Sequence, residues 1–351
     1  MRKLKYSQAI NEALVLSMSK NKRVIVLGLG SDDPKGIFGT TNGLKEKFGK
    51  NRVFDVPTAE NSLTGISIGI ATEGYRPVLS HQRVEFALLT IEQLFNQAAK
   101  WNFMSAGKKS VPIVIRLIIG RGWGQGPQHS QSLEAIFAHI PGLIVVTPST
   151  ASDAKGMLIS SIKNNNPVIF FEHRWLHDNY GNVPKRYYET QINKSKIMKL
   201  GKDISLISNS FMAIESFKAA KLLEKFNINS EVLDLRVIRP LDKKSIIRTA
   251  KKTRKILAID NGLSTFGVSA EVISTIIDDE SLNNKIKLKR IGLMDAPIPS
   301  TRALAKHIYP TYISIAIEVF KLLKKRVPNE ILHSSDKYSS DQPDKNFKGP
   351  F

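Results

Sequence analysis

Arg52–Val78 reads RVFDVPTAENSLTGISIGIATEGYRPV: a strand, a corner, a helix and the start of a second strand. Arg52-Val53-Phe54-Asp55-Val56 alternates and is β-branched and aromatic enough to form a buried strand. Pro57 stops the strand, and Thr58-Ala59-Glu60 turns into an apolar helix. The expected buried face of that helix runs through Leu63, Ile66 and Ile70. Gly65 and Gly69 lie one turn apart on one face, where a second backbone could approach closely. Arg76-Pro77-Val78-Leu79 then restarts the sheet, leaving Glu60 at a strand-to-helix corner with no further charge until Glu73. An acid in a first helical turn complements the helix dipole, and capping alone would account for it. A carboxyl entering an apolar wall can equally serve acid–base chemistry. Spacing leaves both open.

The same alternation continues outward. Residues 5–20 carry Ala9, Ile10, Ala13, Leu14 and Leu16 at helical spacing, and Val24–Gly28 follows as a strand. Gly28-Leu29-Gly30 lacks the third glycine and the opening helix of a dinucleotide-binding turn, so that reading is rejected. Downstream, a helix is expected over Ile91–Trp101 and a strand over Val111–Ile115, followed by the glycine loop Gly120–Gly126. Helix 132–138, strand 143–146, helix 151–161 and strand 168–171 complete a first domain, residues 1–185. Residues 186–200 read as a linker. A second alternation fills 201–327, and 328–351 lacks apolar periodicity and reads as an irregular tail. Strands alternating with helices predict an α/β fold with two parallel-sheet domains.

At 351 residues the chain is too long for one ordinary core. It has no cysteine, which removes disulfides, thiolate metal sites and cysteine nucleophiles and suits a cytoplasmic protein. No apolar run approaches membrane-spanning length. The net charge of +21 suits nucleic acid, an anionic surface or an acidic protein partner. Its cations are spread over KKTRK at 251–255, KIKLKR at 285–290 and KLLKKR at 321–326. Each tract lies in an amphipathic element, where lysines form a solvated face. An acidic partner subunit is therefore expected in preference to nucleic acid.

Five segments carry a resemblance: FDVPTAENSLTGISIGIATEGYRPV, EQLFNQAAKWNFMSAG, the tetrapeptide Gln128-His129-Ser130-Gln131, PGLIVVTPSTASDAKGML and LDLRVIRPLDKKSI. In unbroken order over about residues 5–325, the chain resembles β subunits of the E1 component of 2-oxo acid dehydrogenases. That family is transketolase-like and depends on thiamine diphosphate, an electron sink for decarboxylation. The resemblance implies a pyrimidine-binding domain followed by a transketolase C-terminal-like domain. It implies that Glu60 holds the cofactor's aminopyrimidine ring and acts in its activation, with Phe86 as the aromatic face against it. A core phenylalanine is the plain alternative for Phe86. His129 would orient a substrate carboxylate or pass a proton, although a histidine there could simply cap the following helix.

These enzymes hold Mg²⁺ and the diphosphate with a Gly-Asp-Gly segment, and none occurs in this chain. The resemblance therefore implies a separate α subunit in an α2β2 assembly, and a lipoyl acyltransferase as a further partner. It also maps a K⁺ site onto Ile113, Ser161, Ile162, Asn164 and Asn166. The sequence departs from the family at Leu29, where a glutamate is usual, and at Arg83 and Glu85. It departs again in the glycine loop, at Leu117, Ile118, Arg121 and Trp123. Arg83, Arg121 and Gln128 are the substrate-pocket candidates, and the added arginines suggest an oxo acid bulkier or more anionic than pyruvate. The other readings are a split transketolase-like half that transfers ketol or aldehyde units, and a non-catalytic basic binding subunit.

Overall fold

Continuous apolar strands need helices on both faces, and the chain supplies them in order. The computed structural model describes residues 2–33, 36–120, 125–282, 286–305 and 307–334. They fall into two compact units. The first takes the described residues up to Gly120 and Ile136–Ile192; the second takes those of 125–135 and from Asn193 onward.

The first unit contains α1 (Tyr6–Lys20), β1 (Val24–Gly28), β2 (Val53–Phe54), α2 (Glu60–Thr72) and β3 (Arg76–His81). It continues with β4 (Val114–Ile119), β5 (Ile144–Val146), α3 (Ala151–Lys163) and β6 (Val168–His173). The strands lie in the order β5-β6-β4-β3-β1-β2, every neighbour parallel. β4 and β6 are buried at every residue, as central parallel strands should be. Thr150 caps α3 by accepting a hydrogen bond from the Asp153 amide at 3.1 Å.

The second unit contains β7 (Lys196–Lys199), β8 (Ile204–Ser208), α4 (Ser210–Glu224), β9 (Ser230–Asp234) and α5 (Lys243–Thr253). β10 (Lys255–Leu263), α6 (Val268–Ile277), β11 (Lys287–Leu293) and α7 (Tyr312–Leu322) follow. The order is β11-β10-β8-β9-β7, with β7 alone antiparallel to its neighbour. Asp242 and Thr311 cap α5 and α7 through the amides of Ser245 and Ser314.

Several expectations change in detail. The linker stretch 186–200 ends in β7, whose residues 196–199 pair with β9. The tail begins with a helix, Asn329–Ser334, fixed by the buried Ile331; 335–351 lie outside the described residues. The helix expected over Ile91–Trp101 is a 3₁₀ turn at Phe86–Thr90, a π-helix at Glu92–Ala98 and an α-helix at Ala99–Met104. Apolar spacing does not separate five-residue from four-residue closure. Leu117 and Ile118 belong to β4 and not to a loop, because the run VIRLII extends the strand to Ile119. The buried positions of α2 are Thr64, Ser67, Ile68 and Ala71, while Ile66 stays 55% exposed. Thr64, Ser67 and Ala71 keep most of the inner face small beside Ile68, and Ile66 is turned outward.

Candidate active site

β2 lies on one side of β1 and β3 on the other, so the chain reverses direction between β1 and β3. Beyond the carboxyl ends of the strands, such a point opens a crevice. A small cleft, open to solvent, lies there. Leu29, Val56, Pro57, Leu63, Leu79 and Phe86 give it apolar walls; Ser80, His81, Gln82 and Glu60 are its polar lining. Asp55 fixes the corner leading into α2 by accepting hydrogen bonds from the amides of Gly30 at 2.7 Å and Val56 at 2.8 Å. Glu60 is the first residue of α2 and is half-buried. Among the described residues its carboxyl has no hydrogen-bond or ion-pair partner. His81 is buried, which lowers its pKa to about 4, and its Nε2 lies 3.3 Å from Thr64 Oγ1. It is neutral at pH 7, so the cleft holds one unpaired acid against uncharged walls.

A buried ionic network underlies this lining. The Arg116 guanidinium donates to both Glu172 oxygens, at 2.6 and 3.0 Å, and both side chains are fully buried. It also reaches Ser80 Oγ at 3.2 Å and Thr40 Oγ1 at 2.8 Å, tying a cleft residue to the glycine-punctuated loop after β1. His177 Nε2 lies 3.2 Å from the second Glu172 oxygen. Burial alone would raise the Glu172 pKa; the Arg116 charge and the hydrogen bonds from His177 and Arg116 outweigh it and hold the carboxyl at about 2. Burial lowers the pKa of His177. The sequence carried a signal for this network: Arg116 and Glu172 each interrupt an apolar strand.

Residues 2–178 match the pyrimidine-binding domain of transketolase, and 193–315 match its C-terminal domain. The chain is 37% identical to the pyruvate dehydrogenase E1 component subunit beta of Staphylococcus aureus, over 84% of this chain and 91% of that one. It is 34% identical to the acetoin:2,6-dichlorophenolindophenol oxidoreductase subunit beta of Cupriavidus necator, over 92% and 98%. The chain belongs to the E1 β-subunit family. That is a thiamine diphosphate-dependent, 2-oxo acid dehydrogenase family. Among solved structures, an inactive β4 tetramer of a split-gene transketolase shares the fold, with TM-score 0.74, 21% identity and coverage of 92% and 99%. A transketolase from Pichia stipitis matches with TM-score 0.63 and 16% identity, covering 92% of this chain and 46% of that one.

The candidate residues of this E1 β-type chain do not all gather in the cleft. Glu60 and Phe86 both line it, and so does Leu29, through the side chain that replaces the usual acid. Apolar walls with a few polar groups are the kind of lining that a flat heterocycle packs on, and the unpaired Glu60 is suited to hold a ring nitrogen. Arg83 does not line the cleft: it is 6% exposed, and its guanidinium donates to Gly120 O at 2.9 Å. The reach of an arginine lets it bind a strand-end carbonyl next to the glycine loop. Gln128 and His129 fall in the second unit, the first exposed and the second half-buried. Arg121 and Trp123 lie outside the described residues. His81, given no role from sequence, is part of the lining.

Among the described residues, no group of three or more histidines and acids could hold a metal ion. Four of the carbonyls expected to hold K⁺, those of Ile113, Ser161, Ile162 and Asn164, each accept a hydrogen bond. Arg76 donates to Ile162 O at 3.0 Å and Asn164 O at 2.8 Å, and to the Asn165 side chain. The amides of Val168 and Asn164 donate to Ile113 O and Ser161 O, and the Asn166 amide to Asn164 Oδ1. An ion placed there would share two ligands with a fixed positive charge, an arrangement that disfavours it. No helix among the described residues is long and apolar enough to cross a membrane.

Proposed function

We propose that this chain is the half of a thiamine diphosphate enzyme that activates the cofactor, working with an α subunit that binds the diphosphate and Mg²⁺ in an α2β2 assembly. When bound, the cofactor supplies the electron sink for cleaving the bond next to a substrate carbonyl. Glu60 would hold the aminopyrimidine ring and manage its proton, Phe86 would press on the ring face, and the apolar walls would keep water from both. His129 would orient the substrate carboxylate or carry a proton. The reaction is oxidative decarboxylation of a 2-oxo acid, with acyl transfer to lipoamide or another acceptor. A lipoyl acyltransferase is the corresponding further partner. Arg83, Arg121 and Gln128 stay the candidates for contacting the substrate's side chain, Arg83 being joined to a strand end through Gly120 O.

The observation that carries this reading is an unpaired acid at the mouth of an apolar cleft at the switch point of a parallel sheet. The outer side of α2 supports the need for a partner. Ile66 and Leu89 are 55% and 64% exposed, and nothing approaches the position of a Gly69 side chain within 4 Å. The relative in Cupriavidus necator favours acetoin as a second substrate to test. Co-expression with an α subunit carrying Gly-Asp-Gly, followed by assays on pyruvate, branched oxo acids and acetoin, tests the proposal. Turnover by the complex and none by either chain alone is expected. Turnover by this chain alone overturns it.

A further inference from the structure

The second sheet has a switch point of its own. β9 lies on one side of β8 and β10 on the other, and Ser208 is in register with Ile259. Asn209, just past the end of β8, and Asp260-Asn261 on β10 therefore stand together where the two strands stop pairing, and there a ligand would enter an open α/β sheet. What lies there is a piece of the chain itself. Glu134 is 3% exposed, and its Oε1 accepts a hydrogen bond from Asn261 Nδ2 at 2.9 Å. The same amide lies 3.2 Å from Ser132 Oγ. Two close approaches hold the rest of the segment. A side chain at Gly262 would meet Ser132 O at 2.6 Å, and one at Gly126, whose φ is +68°, would meet Ser300 Oγ at 2.5 Å.

We propose that Glu134 is a positioning residue whose carboxyl fills the switch-point crevice of the second unit as an internal ligand and thereby seats the segment bearing His129. This rests on the reading of His129 given above. No substrate need touch Glu134; its work is to fix the backbone of 125–134 against β10. The groups facing it are Asn209 ahead of α4, Asn261 and Asp260 on β10, and, through Asp260, Arg290 on β11. Burial raises the Glu134 pKa to about 7, and Asp260, also raised by burial, to about 6. A folded-state pKa above the unfolded one means that native stability is fully present below about pH 4.5 and falls as pH rises through about 7. The seat therefore loosens across that window as two neighbouring carboxyls ionise.

Amide hydrogen exchange on the full-length chain reads the seat directly, without cofactor or partner. Glu134→Ala should raise exchange across 125–135 at least tenfold at pH 6. Glu134→Gln should keep that protection and lose most of the fall in protection factor that the wild type shows between pH 6 and 8. Should Glu134→Ala fail to fold, Asn261→Ala removes the donor from the opposite side and should loosen the same amides. Wild-type protection of 125–135 in both alanine variants overturns the proposal, as does an equal pH response in Glu134→Gln. The reading of His129 fails separately: His129→Ala assembled with its α subunit and fully active would refute it while leaving the exchange result intact. For the assembled enzyme, Glu134→Ala should lower kcat at least tenfold, with partial rescue by glutamine.

Discussion

Each of the two sheets has a switch point, at β1 in the first and at β8 in the second, and they treat the resulting crevice in opposite ways. In the first unit the crevice stays open, walled by Leu63, Leu79 and Phe86, and the acid at its mouth has no partner. In the second unit the corresponding place is occupied by Glu134, hydrogen-bonded and buried. A third acid, Glu172, sharpens the contrast within the first unit, since Arg116 and His177 leave it no open valence. Burial and charge do not tell a working acid from a structural one. Whether its hydrogen-bonding capacity is left for something else does.

The largest expected effect follows from that distinction. Glu60→Gln in the assembled enzyme should reduce kcat by about 10²–10⁴-fold, the usual range for a lost acid–base group. Because no described residue bonds to the carboxyl, urea unfolding of the isolated chain should move by less than about 0.5 kcal/mol. A variant that unfolds easily would make Glu60 a structural acid like Glu172, and the contrast would collapse. Arg116→Met inverts the pattern. It strands a fully buried carboxylate, for which the expected cost is about 3–5 kcal/mol in urea unfolding. The double variant Arg116→Met with Glu172→Gln should recover a large part of that loss, since the two side chains act as one unit. In the wild type, the folded-state pKa of Glu172 is depressed, so its contribution is present above about pH 4.5 and lost as pH falls through about 2.

A smaller effect concerns the outer side of α2. Ile66→Lys combined with Leu89→Lys places two charges on exposed apolar positions, one on α2 and one on the 3₁₀ turn at Phe86–Thr90. Co-purification with the α subunit should fall about tenfold or more, equivalent to roughly 1.4 kcal/mol, while the isolated chain keeps its unfolding midpoint. Undiminished recovery of the complex would move the partner surface elsewhere and leave the exposed isoleucine unexplained.

This face also shows what could and could not be read from the sequence. Alternating strands and helices were legible because apolar periodicity and Pro57 state them locally. The inner side of α2 was not. Leu63, Ile66 and Ile70 carry enough hydrophobicity to look like a core stripe, and a surface kept apolar for another chain looks the same as one kept for the core. Arg116 and Glu172 were visible as charges inside apolar runs, but pairing them requires the register that sets β4 beside β6. Glu134 and Asn261 are 127 positions apart, so no local pattern could place the His129 segment in the second unit. Glu60 and Phe86 were named by a long ordered resemblance, and both line the cleft. The bond from Arg83 to Gly120 O joins positions 37 apart, which no local pattern states.

The smallest effect at neutral pH is expected at His81, which borders the same cleft as Glu60 but is closed to proton exchange. Burial depresses its pKa from 6.5 to about 4, so the native ring stays neutral where the unfolded ring takes up a proton. Stability linked to His81 is therefore fully present above about pH 6.5 and falls as pH drops through 4. The difference is about 0.2 kcal/mol at pH 7 and about 2 kcal/mol at pH 5. Urea unfolding of His81→Asn and wild type at the two values isolates it: the variant should lack most of the extra loss at pH 5. The rate profile of the assembled enzyme between pH 6 and 8 should keep its shape in the variant, because His81 changes charge in neither condition. A shifted limb in that range would make His81 a partner of Glu60 in proton transfer, and the cleft would then hold two working groups instead of one.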